Sequence, residues 1–454
     1  MRAHAVVLSA LCVAIALTLS APGPSRQGSC FSPWALFAST AHAMVPATTR
    51  RELRGHVDWQ GHPAMHMLYP MFFRPGLRDE APTNLTWNHT FEQQVYAPFL
   101  RHSGVRVFGA AAMAAEQAKN PGQAHALIDE QLEFVEQFAS AHSDGFVLAR
   151  TPSELRDAVN DSHKMVFVHQ IEGGRMLLLD PRDAWYWRTR GVMLVTVMHL
   201  LDDALGHAAS NLGPEGPLLN LFFNGINFHP GQRRGLTPRG RDAIVELARA
   251  GIMVDLAHMP ADAVDDALAV CRAHGIPPIV THGMYGAIQQ SDRGLTAAQI
   301  IEIYRLGGML SIPVAGNSLN PRNPTIPIPA GLVPGTMDMF RFHVETLHRL
   351  LRDNATTILG RPWEQLTDAE RTRLAVGWAS DWNGWTVHST PTPSRAVRGA
   401  TLEIDRVGLA HPGLLPQYWQ RLREDGMDLD PLERSLERFV QIWESVRAGA
   451  HRTR

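Results

Sequence analysis

The sequence has few cysteines and no excess of charge of either sign. Three of its 454 residues are cysteine, and two of these, Cys12 and Cys30, lie near the N-terminus. A disulfide framework is therefore excluded as the basis of the fold, because Cys271 would be alone in the rest of the chain. The 42 lysines and arginines nearly balance the 44 aspartates and glutamates. The chain thus lacks the basic surplus expected of a nucleic-acid-binding protein.

Long hydrophobic runs are also scarce beyond the N-terminus. There, a basic start precedes an apolar run over residues 5–21, which is typical of a secretory signal. We predict a targeting segment over residues 1–43, with cleavage after Ala43; cleavage after Ala21 and an uncleaved anchor are the alternatives. The mature protein would then be secreted, periplasmic or located in the cell envelope.

Apolar segments alternate with amphipathic helical patterns through the rest of the chain, which is typical of a parallel sheet wrapped by helices. We predict one domain over residues 44–454, an α/β fold of the (β/α)8 TIM-barrel type that ends in a helix at 431–449. A doubly wound open sheet is the alternative, but no Gly-rich phosphate loop follows the first strand. The eight predicted strands are Leu53–Trp59, Gly145–Ala149, Met165–Glu172, Val192–His199, Ile252–His258, Pro278–His282, Gly308–Val314 and Leu374–Asp381.

Three long irregular segments follow predicted strands, over residues 60–117, 200–234 and 315–336. In a barrel, the loops after the strands collect at one face, where binding sites lie. We therefore predict that these three segments form walls of a substrate site.

Three successive predicted strands end in histidine, at His199, His258 and His282, and an earlier one ends in Glu172. The carboxyl ends of barrel strands meet at one face, so these side chains should converge. Imidazoles and a carboxylate without thiolates suit a catalytic zinc site. By strand alternation, His169 lies on the face opposite Glu172, so we predict that it packs under a helix.

His56 and Asp58 lie two residues apart on the first predicted strand, so both could grip one cation. His62 and His66 follow in the loop and are further candidate ligands. Asp381 ends the last predicted strand, where an acid could accept a proton from water and pass it to a leaving amine. No Gly-x-Ser-x-Gly elbow occurs and Cys271 lies in a predicted helix, which argues against serine or cysteine nucleophiles.

The order of these motifs resembles that of the membrane (renal) dipeptidase family of the amidohydrolase superfamily. The specific stretches are Ile171-Glu172-Gly173-Gly174, the segment from Gly235 through Val254-Asp255-Leu256-Ala257-His258, and Gly377 to Gly384. The resemblance implies a dipeptidase with two Zn²⁺ ions bridged by a water or hydroxide. It implies that one zinc is held by His56, Asp58 and Glu172, and the other by Glu172, His258 and His282. It further implies that His199 contacts the substrate and stabilises the oxyanion, that Arg293 receives the substrate carboxylate, and that Asp381 is the proton shuttle.

The sequence departs from the family pattern beside the substrate residues. It has Thr281-His282-Gly283 for Ser-His-Ser, Arg293-Gly294 for Arg-Asn and Asp381-Trp382-Asn383-Gly384 for Asp-Phe-Asp-Gly. The partner would be a small substrate such as a dipeptide, and a homodimer is compatible with the sequence. A hydrolase of lactones, esters or other amides, and a non-catalytic metal-binding envelope protein, are the alternatives.

Overall fold

Most strands of this computed structural model belong to one closed ring. The structure describes residues 52–68, 96–114, 118–161, 163–209, 233–384, 386–392 and 400–452. The strands are β1 His56–Gly61, β2 Val105–Met113, β3 Phe146–Leu148, β4 Met165–Glu172, β5 Val192–Thr196, β6 Met253–Asp255, β7 Ile279–Val280, β8 Met284–Tyr285, β9 Gly294–Leu295, β10 Met309–Pro313 and β11 Gly377–Ala379.

Eight of these strands close the barrel. They pair in the order β1, β2, β4, β5, β6, β7, β10, β11 and back to β1, and every pairing is parallel. The predicted barrel is confirmed and the open sheet is excluded. β8 and β9 form a separate parallel pair.

Helices follow the strands, as the alternating sequence pattern predicts. The helix Pro238–Ala250 (α6) begins after Thr237, whose side chain accepts the backbone N–H of Gly240. It ends at Gly251, which has a φ of 78°, a left-handed conformation that favours glycine. The helices are α1 Met65–Leu68, α2 Ala97–Arg101, α3 Pro121–Ala141, α4 Pro152–Asp161, α5 Pro181–Thr189, α6 Pro238–Ala250, α7 Ala261–His274, α8 Ala297–Arg305, α9 Met337–Asp353, α10 Ala355–Leu359, α11 Asp368–Thr372, α12 Ile404–Val407, α13 Leu415–Glu424, α14 Asp430–Glu433 and α15 Ser435–Arg452.

One barrel strand was assigned wrongly from the sequence. The predicted strand Gly145–Ala149 contains β3, which pairs with the first half of β4, while β5 pairs with the second half. The missing barrel strand is β2, which lies inside the predicted loop 60–117 and pairs with both β1 and β4. Its centre is Gly109-Ala110-Ala111-Ala112, residues of low strand propensity, so the sequence gives it no clear strand pattern.

The predicted closing helix is present as α14 and α15. It packs at the amino ends of the strands, where the Glu437 carboxylate accepts the N–H of Leu53 at 3.0 Å and the Arg438 guanidinium donates to the Gly307 carbonyl. The opposite face, at the carboxyl ends, is therefore left for the loops that carry the polar residues.

Residues from Leu53 onward form one compact unit. The predicted targeting segment 1–43 lies outside the described residues, as do 69–95 and 210–232 of the predicted substrate walls. In the third predicted wall, 315–336, the chain forms a short 3-10 helix at Gly316–Leu319. No described helix is both long enough and apolar enough to cross a membrane.

Candidate metal centre

Three side chains converge at the carboxyl ends of β4, β6 and β7. Glu172 Oε1 lies 3.2 Å from His258 Nε2 and 3.5 Å from His282 Nε2, and the two imidazole nitrogens are 2.9 Å apart. All three residues are buried, and within the described part of the chain they are the one such set whose ligand atoms all lie within 4.8 Å of one another. The predicted meeting of these strand ends is therefore observed.

Local backbone geometry aims these side chains. Gly173 turns the chain directly after Glu172 with a φ of 95°. His258 lies three residues beyond the end of β6 and has a φ of 64°, a left-handed conformation that is uncommon for residues other than glycine. Such strained residues cluster at functional sites, where the surrounding structure holds them in place.

The other oxygen of Glu172 faces two further imidazoles. His62 Nε2 lies 3.1 Å from Glu172 Oε2, and His199 Nε2 lies 3.6 Å from it. His62 also lies 3.2 Å from Asp381 Oδ1. The residue that follows β1 into the centre is thus His62, which the sequence indicates only as a further candidate ligand. One oxygen of Glu172 faces His258 and His282, and the other faces His62 and His199.

His56 and Asp58 are not in the described cluster whose ligand atoms lie within 4.8 Å of one another, and each has other contacts. The His56 ring stacks on Trp419 of α13 with centroids 4.5 Å apart. The Asp58 carboxylate instead accepts the backbone N–H of Ser380 at 2.8 Å.

Two register shifts between β1 and β2 lie along β1, one between His56 and Val57 and one between Asp58 and Gly61. β1 continues to Gly61, past the predicted end at Trp59, and Asp58 lies opposite Phe108 whereas Gly61 lies opposite Ala110. β1 thus contains one residue more than β2 over this stretch, as in a β-bulge, which re-aims the side chains that follow. His62 faces Glu172 at the centre, whereas His56 and Asp58 each have the separate contacts given above.

Asp381 is held tightly against the end of β1. Its backbone N–H donates to the Gln60 carbonyl at 2.7 Å, and the N–H of His62 donates to the Trp382 carbonyl at 2.8 Å. Asp381 has a φ of 54°. A Cβ atom on Gly384 would lie 2.0 Å from Asp381 Oδ1, so glycine leaves the space that the carboxylate occupies.

Burial and neighbouring charges set the protonation of the centre. Burial, together with the Arg293 cation, lowers the pKa of both His258 and His282. Burial opposes ionisation of Glu172, but the imidazoles of His199, His62 and His258 hold its pKa well below its ordinary value. Neutral imidazoles beside an ionised carboxylate are the donor set of a divalent metal, so these residues fit zinc.

The pKa of His62 is shifted in the opposite direction, upward. Burial alone would lower its pKa, but the carboxylates of Glu172 and Asp381 raise it to about 10. In the absence of a metal, a protonated His62 can therefore neutralise the two acids. A cation beside Glu172 would take over this role.

Two other predicted residues lie near or beside the centre. Arg293 donates from Nη2 to the His282 carbonyl at 3.0 Å, and the ring of His199 lies edge-on to that of His258, with centroids 4.5 Å apart. His169 contacts Glu136 of α3 at 3.3 Å, which confirms that it packs under a helix.

A family model described as membrane dipeptidase, peptidase family M19, matches residues 64–356, well over half of the 454 residues. This chain belongs to the membrane dipeptidase family. Curated relatives include an uncharacterised dipeptidase of Schizosaccharomyces pombe, 25% identical over 204 residues, or 43% of this chain and 44% of the relative. Dipeptidase verJ of Clonostachys rogersoniana is 22% identical over 197 residues, covering 43% and 45%. These matches span less than half of each relative.

Two solved metallopeptidase structures share the fold of this membrane dipeptidase family member over most of its length. Dipeptidase AC, an M19 metallopeptidase, is 18% identical with a TM-score of 0.58 over 87% of this chain and 98% of its own. A Rhodobacter sphaeroides metallopeptidase, solved with a phosphinate mimic of the dipeptide L-Ala-D-Ala, is 17% identical with a TM-score of 0.58 over 87% and 99%. At these identities the likeness establishes the barrel fold.

Proposed function

We propose that this chain is a metal-dependent dipeptidase whose ion is held by Glu172, His258 and His282. The observation that carries the proposal is the buried convergence of these three side chains within 4.8 Å. Family membership supports peptide hydrolysis, and the dipeptide mimic bound to the Rhodobacter sphaeroides neighbour supports a dipeptide as substrate.

A second ion position is part of the proposal, at the Oε2 side of Glu172 beside His62. The support is that each Glu172 oxygen faces a separate pair of imidazoles, as a bridging carboxylate would. Zinc is the candidate because the donors are nitrogen and oxygen without thiolate. His62 here replaces His56 and Asp58 of the sequence prediction.

The residues around the centre have separate tasks in this proposal. Bound zinc would supply Lewis-acid polarisation of the scissile carbonyl and lower the pKa of water toward about 7. Asp381, 3.2 Å from His62, would accept the proton of the attacking water and donate it to the leaving amine. His199 would donate a hydrogen bond to the developing oxyanion, and the Arg293 guanidinium would pair with the substrate carboxylate.

Hydrolysis of a mixed L,L and L,D dipeptide panel tests the proposal, with zinc or with chelator, and with lactones and esters included. We expect zinc-dependent release of amino acids, and a loss of about 10²-fold or more in the Asp381→Asn variant. Cleavage of lactones or esters but of no dipeptide would favour the alternative hydrolase. Zinc binding without turnover of any substrate would contradict catalysis.

Recognition of the substrate carboxylate has its own test. Arg293→Ala should lower kcat/KM for a dipeptide but not for the same dipeptide with an amidated C-terminus, because only the former carries the charge that Arg293 pairs with. Equal losses on both substrates would mean that Arg293 only supports the His282 backbone.

We also propose export through residues 1–43, on the basis of the basic start and the apolar run. Intact mass spectrometry of the protein recovered from cells should show a chain that begins after Ala43. A chain that retains Met1 would contradict cleavage. A homodimer remains a prediction, which mass measurement in solution would check.

A further inference from the structure

A buried polar network lies behind the two histidines of the metal centre. The Asp255 side chain is fully buried and accepts four hydrogen bonds. Two come from hydroxyls, Thr196 Oγ1 at 2.5 Å and Thr281 Oγ1 at 2.7 Å. The other two come from the backbone N–H groups of Ala257 and Thr281, each at 3.0 Å.

The two backbone donors link Asp255 to both metal-binding segments. Ala257 immediately precedes His258, and Thr281 immediately precedes His282. Asp255 Oδ1 accepts from both N–H groups. One carboxylate oxygen therefore fixes the distance between the two backbones that carry the imidazoles.

The network also determines which nitrogen of His282 carries the proton. Thr281 Oγ1 lies 2.9 Å from His282 Nδ1. The Thr281 hydroxyl has a single proton, and it donates this proton to Asp255 Oδ2. Thr281 Oγ1 can then only accept from His282, so His282 carries its proton on Nδ1. Its Nε2 then carries a lone pair, and this atom faces the centre, 2.9 Å from His258 Nε2 and 3.5 Å from Glu172 Oε1.

We propose that Thr281 and Asp255 are positioning residues that hold His282 as the Nδ1–H tautomer for metal binding. This inference rests on the proposed function, because it assigns a purpose to the Nε2 lone pair. Hydrogen bonding of the distal nitrogen to an anionic acceptor, here relayed through a hydroxyl, orients a metal-binding histidine and raises its basicity. The donor Thr196 serves as an internal comparison, since it binds the same Asp255 oxygen but has no bond to His282.

Matched variants distinguish the loss of the hydrogen bond between Thr281 and His282 from the loss of a hydrogen bond to Asp255. Thr281→Val removes the hydroxyl at constant shape, Thr281→Ser restores it, and Thr196→Val removes the equivalent bond to Asp255. Zinc affinity of each full chain is measured by competition with a chromophoric chelator. We expect Thr281→Val to weaken zinc binding about 10- to 100-fold, Thr281→Ser to recover it, and Thr196→Val to remain near wild type.

The tautomer is observed directly by ¹H–¹⁵N NMR of histidine side chains in the metal-free wild-type chain, with the His282→Gln variant for assignment. We expect the Nδ1–H signature for His282, lost in Thr281→Val. Wild-type zinc affinity in Thr281→Val, equal losses in both valine variants, or an Nε2–H signature would each overturn the proposal. A wild-type chain that binds no zinc would instead refute the proposed function. The NMR measurement on the wild-type chain needs no zinc, so it would still show whether His282 carries its proton on Nδ1.

Discussion

Asp58 is a buried acid whose ionisation the fold opposes. Burial raises its pKa from 3.8 to about 7, although hydrogen bonds from Ser380 and Gln60 act in the other direction. Between these two pH values, the folded chain keeps a proton that the unfolded chain has released. The Asp58 contribution to stability is therefore greatest at acidic pH and falls as the pH rises through about 7.

Asp58→Asn keeps an oxygen for the N–H groups of Ser380 and Gln60 but cannot ionise. We expect the variant to gain stability relative to wild type as the pH rises from about 5 to about 8, as measured by urea unfolding of the metal-free chains. We also expect unchanged zinc affinity, because Asp58 is not in the cluster of Glu172, His258 and His282. Loss of zinc would restore Asp58 to the ligand set.

Gly384 provides the space for the Asp381 carboxylate. A Cβ atom there would lie 2.0 Å from Asp381 Oδ1, so Gly384→Ala must move the acid. We expect kcat/KM to fall about 10²-fold, the effect of a displacement near 1 Å, with zinc affinity retained. Gly449→Ala is the control, since its Cβ would have no atom within 4 Å. Unchanged activity in Gly384→Ala would argue against Asp381 as the proton carrier.

The sequence predicts which residues lie at the centre where each one stands at the end of a recognisable strand. Glu172, His258 and His282 each follow an apolar run, and the rule that strand ends share a barrel face places them together. The network around Asp255 depends on Thr196 and Thr281 from two neighbouring strands. No spacing along the chain indicates that these two threonines donate to the same carboxylate, so only the folded structure shows the network.

At the scale of elements, the two errors in strand prediction have distinct physical causes. β2 is rich in alanine, so its burial comes from the barrel and not from a strand-forming sequence. In β1, the register shift before Gly61 changes the face on which later residues lie. Strict alternation would place His56 and His62 on the same face, so the sequence does not show that His62 is the residue that faces Glu172.

α15 is joined to α4 by a buried ion-pair cluster. The Arg156 guanidinium donates to Glu437 at 2.9 and 2.8 Å and to Glu444 at 2.8 and 3.1 Å. The side chains of Arg156 and Glu437 are 6% and 8% exposed. Removing the cation would leave a carboxylate buried without its partner.

We expect Arg156→Leu to lower the free energy of unfolding by about 3 kcal/mol, as measured by urea denaturation. Arg182→Leu is the control, because its pair with Asp180 is exposed to solvent and such pairs contribute little. Equal stability of the two variants would show that the cluster does not hold α15 in place.

At the scale of the whole molecule, the two ends of the barrel have different tasks. The amino ends of the strands meet α15 and its ion pairs, while the carboxyl ends carry the metal centre, a division typical of this barrel. Arg156→Leu should therefore leave zinc affinity of the folded chain unchanged.

Zinc should also stabilise the folded chain, because the three ligands converge only after folding. At a free zinc concentration 100 times its dissociation constant, we expect a gain of about 2.7 kcal/mol in the free energy of unfolding. Urea titrations with zinc and with chelator measure it. The gain should be much smaller in His282→Ala, and a gain of equal size there would place the stabilising ion elsewhere.

Anomalous diffraction at the zinc absorption edge, from crystals grown with zinc, tests most directly whether Glu172, His258 and His282 bind the ion. We expect a peak about 2.0–2.2 Å from Glu172 Oε1, His258 Nε2 and His282 Nε2, and a second peak beside His62 if both positions fill. A fully occupied zinc bound elsewhere on the chain, with no peak at these three side chains, would contradict a metal centre at Glu172.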